Sequence, residues 1–366
     1  MKVQVTQENL AAALNSISRI AGRNTSLPIL SNILLKTVKN RLFIAATNLE
    51  IAITEYIGAK VVAEGDITVP ARLLADFVSN LPSGNIELAV DGTSLSVIEE
   101  NYSSTIHGMA SGDFPAIPDV KTDQFIDVDS GKLKEAIAQV SGAASSDETR
   151  PVLTGVVVKV TDDKLKLAAT DSYRLAEKKI SLAKKHEPRS VIVPARSLQE
   201  LQRLIGNEKT VQVYIEEDQV KFVSGDRELT SRLIEGNYPD YEQLVPSETA
   251  TSFTVDREEL MRITKISSLF ARDAAGSVTL ATNKTEGKVR LSSVAAQVGD
   301  NTSSIDVGDL NNDDQVTFNA RYLIDALNAL PAAKITFGFS GKLAPCVLRP
   351  IQKDMDDLYL IMPLRS

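Results

Sequence analysis

One sequence pattern occurs three times in this chain, at intervals of about 124 residues. VPARLLADFVSNLP at 69–82 returns as VPARSLQELQRLIG at 193–206 and as FNARYLIDALNALP at 318–331. In each copy the apolar residues recur at the spacing of an amphipathic helix. Repetition at a fixed interval predicts a chain built from similar structural units. Because single cores stop growing at roughly 250–300 residues, we expect the 366 residues to form more than one domain.

Other landmarks keep the same interval. ATNLEI begins at Ala46 and ATDSYRLA at Ala169, and SSVAAQV at Ser292 is a weaker third copy. FPAIP, YPDYEQLVP and MPLRS place a proline near the end of each third. Segments rich in proline at 115–123 and 239–249 are typical of linkers. The sequence therefore predicts three domains, 1–122, 123–248 and 249–366.

Each third contains two segments in which apolar residues recur at helical spacing. Between them lie many short segments in which apolar and polar residues alternate. Thr6 and Asp256 stand where the first helix of their third would be capped. In the first helix of the last third, Leu260, Ile263 and Ile266 are predicted to face the core. Segments such as IELAV, VKFVSG and KITFGFS are typical of half-buried strands. We predict an α+β fold with antiparallel sheets and helices at 6–24, 70–81, 130–145, 194–206, 255–272 and 319–331.

The charge of the chain is unevenly distributed. The net charge is −8, which argues against a surface that is basic throughout. The six predicted helices carry twelve Lys or Arg against eight Asp or Glu, so their balance is +4 and the rest of the chain carries −12. This small difference favours a helical layer that faces a polyanion. No apolar segment is long enough to span a membrane, and the single cysteine, Cys346, is expected in a strand. We expect a cytoplasmic protein with no membrane partner.

Residues that could carry catalysis are sparse. The two histidines, His107 and His186, have no partner nearby in the sequence. The acidic segments 306–315 and 354–357 lack the ligand spacing of a calcium loop and are predicted to be solvated turns. Neither GxGxxG nor GxxxxGK occurs. The sequence therefore predicts no enzyme, no metal and no cofactor.

A set of motifs spans the chain: SLPILSNILL (26–35), ATNLEI (46–51), TVPAR (68–72), TRPVLTGV (149–156), ATDSYRLA (169–176), SVIVPAR (190–196), GNYPDYEQLVP (236–246), FNARYLIDALNAL (318–330) and the final YLIMPLRS. Together, and in this order, they resemble the beta subunit family of bacterial DNA polymerase III, the replicative sliding clamps. The resemblance implies three similar domains per chain and a head-to-tail dimer that closes into a ring. It also implies a non-catalytic processivity factor that encircles duplex DNA.

The resemblance implies several partners. These are double-stranded DNA, the replicative DNA polymerase catalytic subunit, the clamp loader, other proteins with a clamp-binding motif and a second copy of the chain. A repeat-built scaffold that binds peptides but not DNA is the alternative, favoured by the net charge of −8 and by the absence of aromatics at Pro151 and Val152.

Site residues follow from the same resemblance. Arg23 and Arg72 match arginines that contact DNA, and Arg196 holds the position equivalent to Arg72 in the second copy. Arg150 belongs to a DNA loop whose usual pair of aromatics is replaced by Pro151 and Val152. Ile106 and Leu269 match the dimer interface. The positions that match a peptide-binding cleft are Leu153, Thr170, Ser172, Tyr173, Arg174, Leu175, Pro239, Gln243, Leu244, Leu360, Met362, Pro363, Leu364 and Arg365. Gln243 replaces a basic residue common in the family.

Overall fold

The structure is a computed structural model that describes residues 1–22, 27–117, 120, 124–271, 275–295, 299–352 and 357–364. Within these ranges each third of the sequence contains two α-helices. They are α1 (Gln7–Ile17), α2 (Ala71–Ser79), α3 (Ser130–Val140), α4 (Ala195–Leu204), α5 (Arg257–Leu269) and α6 (Ala320–Ala329). None of the helices formed by the described residues is long and apolar enough to cross a membrane.

All six predicted helices are confirmed. The main differences between prediction and structure are the residues at which the helices begin and end. The first was predicted to reach residue 24 but ends at Ile17, where Ser18 donates its amide to the Leu14 carbonyl. Thr6 is the N-cap residue of α1, yet its side chain makes no capping hydrogen bond. Asp256 caps α5 as predicted, since its side chain accepts from the amides of the second and third helical residues.

One predicted core position is wrong. Ile266 is 40 % exposed, whereas Thr264 and Ser267 of the same helix are fully buried. Ile266 lies six residues after Leu260, and six residues turn an α-helix well away from the starting face. Seven residues return to that face, so Ser267 lies there.

Each third of the chain begins with a strand before its first helix, and the number of strands between its two helices varies. The first third contains β1 (Lys2–Thr6), β2 (Asn32–Val38), β3 (Arg41–Thr47), β4 (Ile51–Gly58), β5 (Lys60–Ala63), β6 (Asp66–Pro70), β7 (Asn85–Asp91), β8 (Ser94–Glu99) and β9 (Tyr102–His107). The second contains β10 (Ile126–Asp129), β11 (Gly155–Thr170), β12 (Arg174–Pro194), β13 (Thr210–Ile215), β14 (Gln219–Ser224) and β15 (Arg227–Arg232). The third contains β16 (Thr251–Asp256), β17 (Ser277–Asn283), β18 (Lys288–Ala295), β19 (Gly299–Asp306), β20 (Gln315–Asn319), β21 (Lys334–Phe339), β22 (Cys346–Pro350) and β23 (Leu358–Ile361). In each third the second helix comes before the last three strands.

The first compact unit comprises Met1–Gly131 and Glu200–Leu233. It holds a five-stranded sheet in the order β5-β1-β7-β8-β9 and an eight-stranded sheet in the order β10-β13-β14-β15-β4-β3-β2-β6. All pairs are antiparallel, as predicted. The larger sheet continues from the second third of the sequence into the first through the pairing of β15 with β4.

The second compact unit comprises Lys132–Gln199 and Ile234–Ser366. It holds a six-stranded sheet in the order β11-β12-β23-β22-β21-β16 and a four-stranded sheet in the order β19-β18-β17-β20. Here β12 of the second third pairs with β23 of the last. Cys346 is fully buried in β22, in agreement with its predicted strand, and burial raises the pKa of its thiol.

An ion pair stands beside each of these two cross-third pairings, partly buried in the first and buried in the second. Arg227 Nε contacts Glu55 Oε1 at 2.9 Å where β15 meets β4. Lys178 Nζ contacts Asp357 Oδ2 at 2.6 Å where β12 meets β23. Asp357 was expected in a solvated turn but is only 2 % exposed, so that prediction is wrong. Burial raises the pKa of this carboxyl, and the other residues of the run, 354–356, lie outside the described part of the chain.

The acidic segment 306–315 serves the local backbone. Asn311 Oδ1 accepts the amide of Ser252 at 2.8 Å, and Asp314 Oδ2 accepts the amide of Gly341 at 2.8 Å. The Asp309 carboxylate accepts the Thr254 hydroxyl at 3.1 Å. These side chains are hydrogen-bonded to protein groups, and the described residues contain no cluster of three metal-ligating side chains.

Candidate functional site

The loop between β11 and β12 is a tight turn held by its own side chains. Thr170 Oγ1 accepts the amide of Ser172 at 3.1 Å and donates to the Arg174 carbonyl at 2.7 Å. Asp171 Oδ1 accepts the amides of Tyr173 and Arg174 at 2.9 and 3.0 Å. Short polar side chains form such turns because they bond backbone groups two or three residues on. The turn fixes the side chains of the predicted cleft residues.

Ser172 has a φ of +79°, which is uncommon for a residue other than glycine. This conformation lets the chain reverse between the two strands. Tyr173 at the tip is 57 % exposed, while Leu175 on the next strand is 3 % exposed. The turn therefore presents an aromatic ring to solvent directly beside a buried aliphatic residue.

Arg174 is held by three neighbours. Its Nε contacts Asp171 Oδ2 at 3.0 Å, and its Nη1 bonds Asp325 of α6. Its guanidinium lies 5.0 Å from the centre of the Tyr322 ring, which also stacks on Tyr173 at 6.4 Å. Burial acts to lower the pKa of Arg174, but Tyr359 and the two aspartates outweigh burial and raise it. Arg174 is thus a fixed positive charge beside two aromatic rings.

The floor of the site is a hydrophobic cluster formed by Val157, Ala168, Leu175, Tyr241, Val347, Leu358 and Leu360, with Tyr238 and Val245 packed against it. Leu175 and Leu360, two of the predicted cleft residues, therefore belong to the core beneath the surface. Leu153 is also buried, at 5 % exposure, in a short helical turn after Arg150.

Two tyrosines that the sequence analysis missed support this floor. The Tyr238 hydroxyl accepts the Thr170 amide at 3.0 Å, and burial raises its pKa to about 12. The Tyr241 hydroxyl donates to Glu177 Oε2 at 2.6 Å. Both flank Pro239 in the YPDY motif, and that spacing was the signal that could have identified them.

The rim combines two segments. Pro239, Gln243 and Leu244 are exposed, and Gln243 Nε2 donates to Asp240 Oδ2 at 2.7 Å. On the other side of the rim, two backbone amides hold the chain after β23. The Met362 amide donates to the Tyr173 carbonyl at 2.8 Å, and the Leu364 amide also donates a hydrogen bond. Met362, Pro363 and Leu364 are half-buried. Arg365 lies outside the described residues. The structure thus brings most of the predicted cleft residues to one surface, which we call the C-terminal groove (residues 170–175, 238–245 and 360–364).

The predicted DNA-binding arginines occupy separate places. Arg72 and Arg196 are each the second residue of their helix, and each is exposed directly after a buried alanine. Arg321, which is not among the predicted DNA contacts, has the same position and exposure in α6. For Arg72 and Arg196 no side-chain bond to another described residue is present. Arg150 differs, because its Nε contacts Asp147 at 3.2 Å and its Nη1 donates to Ser172 Oγ at 3.0 Å. Arg23 lies outside the described part of the chain.

The two predicted interface residues differ in accessibility. Ile106 is buried at 3 % exposure in β9, an edge strand of the five-stranded sheet. Leu269 is 57 % exposed at the end of α5, near Ile266. His107, also in β9, contacts Ser94 Oγ through Nδ1 at 3.1 Å.

Comparison with known proteins covers the whole chain. Family models of the DNA polymerase III beta subunit match as the N-terminal domain at residues 1–118, the central domain at 127–240 and the C-terminal domain at 242–365. The beta sliding clamp of Synechocystis sp. is 33 % identical, with 100 % of this chain and 99 % of that protein covered. The Staphylococcus aureus beta sliding clamp is 29 % identical, with both chains fully covered.

Solved structures agree. The DNA polymerase sliding clamp of Bacillus subtilis superimposes with a TM-score of 0.95 at 27 % identity, covering 100 % of this chain and 99 % of that one. The beta subunit of Streptococcus pyogenes gives 0.96 at 25 % identity, with both chains fully covered. The three-domain clamp fold with mixed helices and antiparallel sheets is therefore confirmed, and the chain belongs to the bacterial DNA polymerase III beta subunit family, the beta sliding clamps.

Proposed function

We propose that this protein is a sliding clamp, a non-catalytic processivity factor that closes into a head-to-tail homodimeric ring around duplex DNA. The observation that carries this proposal is the match of all three clamp domains, in order, along the full length of the chain. The ring would act in the cytoplasm and tether the replicative polymerase. A tether works through topology, so it needs no reaction centre.

The charge distribution suits a ring that slides. Each phosphate contact releases counterions and adds affinity, so many contacts would hold the ring in one place. Arg72 and Arg196 are single exposed arginines at helix starts, without a carboxylate partner among the described residues. We assign them mild phosphate contacts, with Arg23 as a third. The net charge of −8 keeps other surfaces from attracting DNA.

The C-terminal groove supports the partner side of the proposal. It offers an exposed tyrosine, a half-buried methionine and an exposed leucine above an apolar floor. Flexible and aromatic side chains of this kind accommodate several short peptides. We assign the groove to peptide segments of the polymerase catalytic subunit, the clamp loader and other clamp-binding proteins.

Arg150 has a different role in this proposal. Its bonds to Asp147 and Ser172 tie it to the turn of the C-terminal groove. Val152 lies against Gly236, since a Cβ on that glycine would stand 2.8 Å from the Val152 side chain. We therefore infer that Arg150 positions the groove in addition to any contact with DNA.

A loading experiment tests the ring. The protein is loaded onto nicked circular DNA by the clamp loader with ATP, and the circle is then linearised. A sliding ring leaves the linear ends, whereas a peptide-binding scaffold never loads. Retention after linearisation would contradict the proposal. Sedimentation provides a second check, because a stable monomer at micromolar concentration is incompatible with a ring of two chains.

Charge variants test the DNA contacts. We expect Arg72→Ala and Arg196→Ala each to reduce the salt slope of DNA binding by up to about 0.9, the value for one phosphate contact. Arg321→Ala is the matched control, because its helix copy lacks the preceding proline. Unchanged slopes for both Arg72→Ala and Arg196→Ala would refute the assignment.

A further inference from the structure

A loop in the first compact unit repeats the turn of the C-terminal groove. Thr47 Oγ1 accepts the Leu49 amide at 3.0 Å and donates to the Ile51 carbonyl at 3.0 Å. Asn48 Oδ1 accepts the amides of Glu50 and Ile51 at 3.0 and 2.8 Å. Leu49 has a φ of +76°, close to the +79° of Ser172. The four hydrogen bonds by which the Thr170 and Asp171 side chains hold the backbone of the 170–174 turn therefore each have a counterpart 123 residues earlier.

The neighbouring strand also repeats. The Arg232 amide donates to the Glu50 carbonyl at 2.9 Å, as the Met362 amide donates to the Tyr173 carbonyl at 2.8 Å. In both places the donor directly follows the strand residue that pairs with the end of the turn, Ser231 with Ile51 and Ile361 with Arg174. The first unit thus contains the complete backbone frame of a groove.

This frame encloses an open cavity of about 360 Å³. Its lining includes Leu49, Glu50, Ile51, Pro115, Asp218 and Arg232, all within the first compact unit. The volume is at the low end of the roughly 300–1,000 Å³ of ligand-binding sites. It suits a few residues of an extended chain better than a folded domain.

The side chains of this N-terminal groove (residues 47–52, 115–116, 218–219, 230 and 232) differ from those of the C-terminal one. Leu49, 50 % exposed, replaces Ser172, and Glu50 replaces the aromatic Tyr173. Glu50 and Asp218 are exposed carboxylates without a side-chain partner among the described residues. A leucine beside two unpaired carboxylates is complementary to an aliphatic side chain next to a positive charge.

We propose that the N-terminal groove is a second peptide-binding site, and that it takes a short extended peptide with an aliphatic residue flanked by lysine or arginine. That the ligand is a peptide rests on the proposed function of the C-terminal groove. The different side chains make its sequence preference distinct, so one ring offers two kinds of site.

Fluorescence anisotropy with the full-length protein tests this proposal. The probes are three labelled hexapeptides that share a Gly-Ser background and carry Arg-Leu, Glu-Leu or Arg-Ser at the centre. We expect the Arg-Leu peptide to bind, and Leu49→Ser or Glu50→Lys to weaken it at least about tenfold. Both residues are exposed, so their variants should keep the native circular dichroism spectrum.

Matched controls separate the two grooves. Tyr173→Ala and removal of residues 362–366 should leave Arg-Leu binding unchanged, while Glu50→Lys should leave binding of a polymerase-derived peptide unchanged. In the Glu50→Lys variant we expect the Glu-Leu peptide to gain affinity. If the truncated protein still binds the polymerase-derived peptide, the assignment of that peptide to the C-terminal groove is wrong. The proposal for the N-terminal groove is tested separately, by the effect of Leu49→Ser and Glu50→Lys on binding of the Arg-Leu peptide.

Four binding results would overturn the proposal, and a fifth concerns the oligomeric state. They are no Arg-Leu binding at roughly 0.5 mM protein, equal binding of all three peptides, binding that Leu49→Ser and Glu50→Lys leave intact, or a preference for Glu-Leu that Arg232→Glu abolishes. The last would assign the groove to acidic peptides. A change in oligomeric state of Leu49→Ser would instead assign it to a second copy of the chain.

Discussion

The turns at 47–51 and 170–174 share a backbone and differ in their side chains. Thr47 and Thr170 each bond the amide two residues on and the carbonyl four residues on, at 2.7 to 3.1 Å. The exposed tip residue, however, is glutamate in one turn and tyrosine in the other. The comparison shows that a threonine and an Asn or Asp are enough to fix the frame, while the tip residues determine what each groove can bind.

The ion pairs beside the two grooves show a second contrast. Arg232 and Met362 occupy equivalent places, and five residues before them stand Arg227 and Asp357. Their partners, Glu55 and Lys178, are 123 residues apart. The same position in both sheets thus holds an ion pair, with the charges exchanged between the strands.

Breaking these ion pairs should give the largest effect. We expect Lys178→Met to lower the free energy of unfolding by about 3–5 kcal/mol, because Asp357 would remain buried without its cation and Glu135 would lose its contact with the same ammonium. Arg227→Met should have less effect, since the Arg227 side chain is 29 % exposed against 7 % for Lys178. Urea unfolding at fixed protein concentration measures both.

The control for this prediction removes both charges. The double variant Lys178→Met with Asp357→Leu should recover most of the lost stability, because an apolar pair of similar size can replace a buried ion pair. A double variant as unstable as the single one would show that packing, or the lost contact of Lys178 with Glu135 at 2.9 Å, explains the loss rather than the buried charge of Asp357.

The tip residues should differ in their effect on partner binding. We expect Tyr173→Ala to weaken binding of a polymerase-derived peptide about tenfold, since exposed aromatics at the centre of a groove dominate such contacts. Glu50→Ala should leave that affinity unchanged. Isothermal titration calorimetry on both variants measures the difference, and equal losses would contradict the assignment of the peptide to the C-terminal groove.

Substitution of Thr47 and of Thr170 should destabilise their respective turns to a similar extent. Thr47→Val and Thr170→Val each remove a buried hydroxyl that makes two hydrogen bonds, which costs about 1–2 kcal/mol. Amide hydrogen exchange at residues 49 and 172 should accelerate about tenfold or more in the respective variant. Acceleration in only one of them would mean that the two turns are not equivalent.

Much of this architecture was predictable from the sequence, because helices and exposed strands leave a local period. The six helices, the antiparallel strands and the threefold repetition follow from that period. The pairings β15 with β4 and β12 with β23 did not, since contacts across distant segments leave no mark on local spacing. For the same reason Asp357 was misplaced: its partner lies on a strand 179 residues away in sequence.

The site was predictable to a smaller extent. Leu244, Met362 and Tyr173 were named because they match a family pattern, and the structure brings them to one groove. The supporting tyrosines at 238 and 241 were missed, because the hydrogen bonds that fix them become visible only in three dimensions. The resemblance assigned no binding role to ATNLEI (46–51), although this segment repeats ATDSYRLA, because the frame that the two turns share becomes visible only in three dimensions.

The smallest predicted effect is the dependence of folding stability on pH. Arg41 Nη1 donates to Asp226 Oδ1 at 2.7 Å, and this hydrogen bond lowers the pKa of Asp226. Because the pKa of Asp226 is lower in the folded state, the carboxylate stabilises the fold at any pH above its unfolded-state pKa, which is near 4. That contribution is lost as the pH falls through the folded-state pKa. The Asp226 side chain is 60 % exposed, so we expect less than about 1 kcal/mol.

The variant Arg41→Gln tests this effect. Its stability should match the native protein more closely at pH 3 than at pH 7, as measured by urea midpoints. In the second unit Glu242 offers a comparison, because a hydrogen bond from Lys166 lowers its pKa in the same direction. A loss for Arg41→Gln that grows on acidification would contradict the predicted sign.

The exchanged charges of the two ion pairs also bear on how a repetitive chain folds. If β15 met β12 instead of β4, Arg227 would face Lys178, and if β23 met β4, Asp357 would face Glu55. Either error would bury like charges, which is strongly unfavourable, whereas repeats of similar sequence are prone to such misassembly. A chain in which both pairs have the same polarity would keep every native contact, yet we expect its refolding yield to fall.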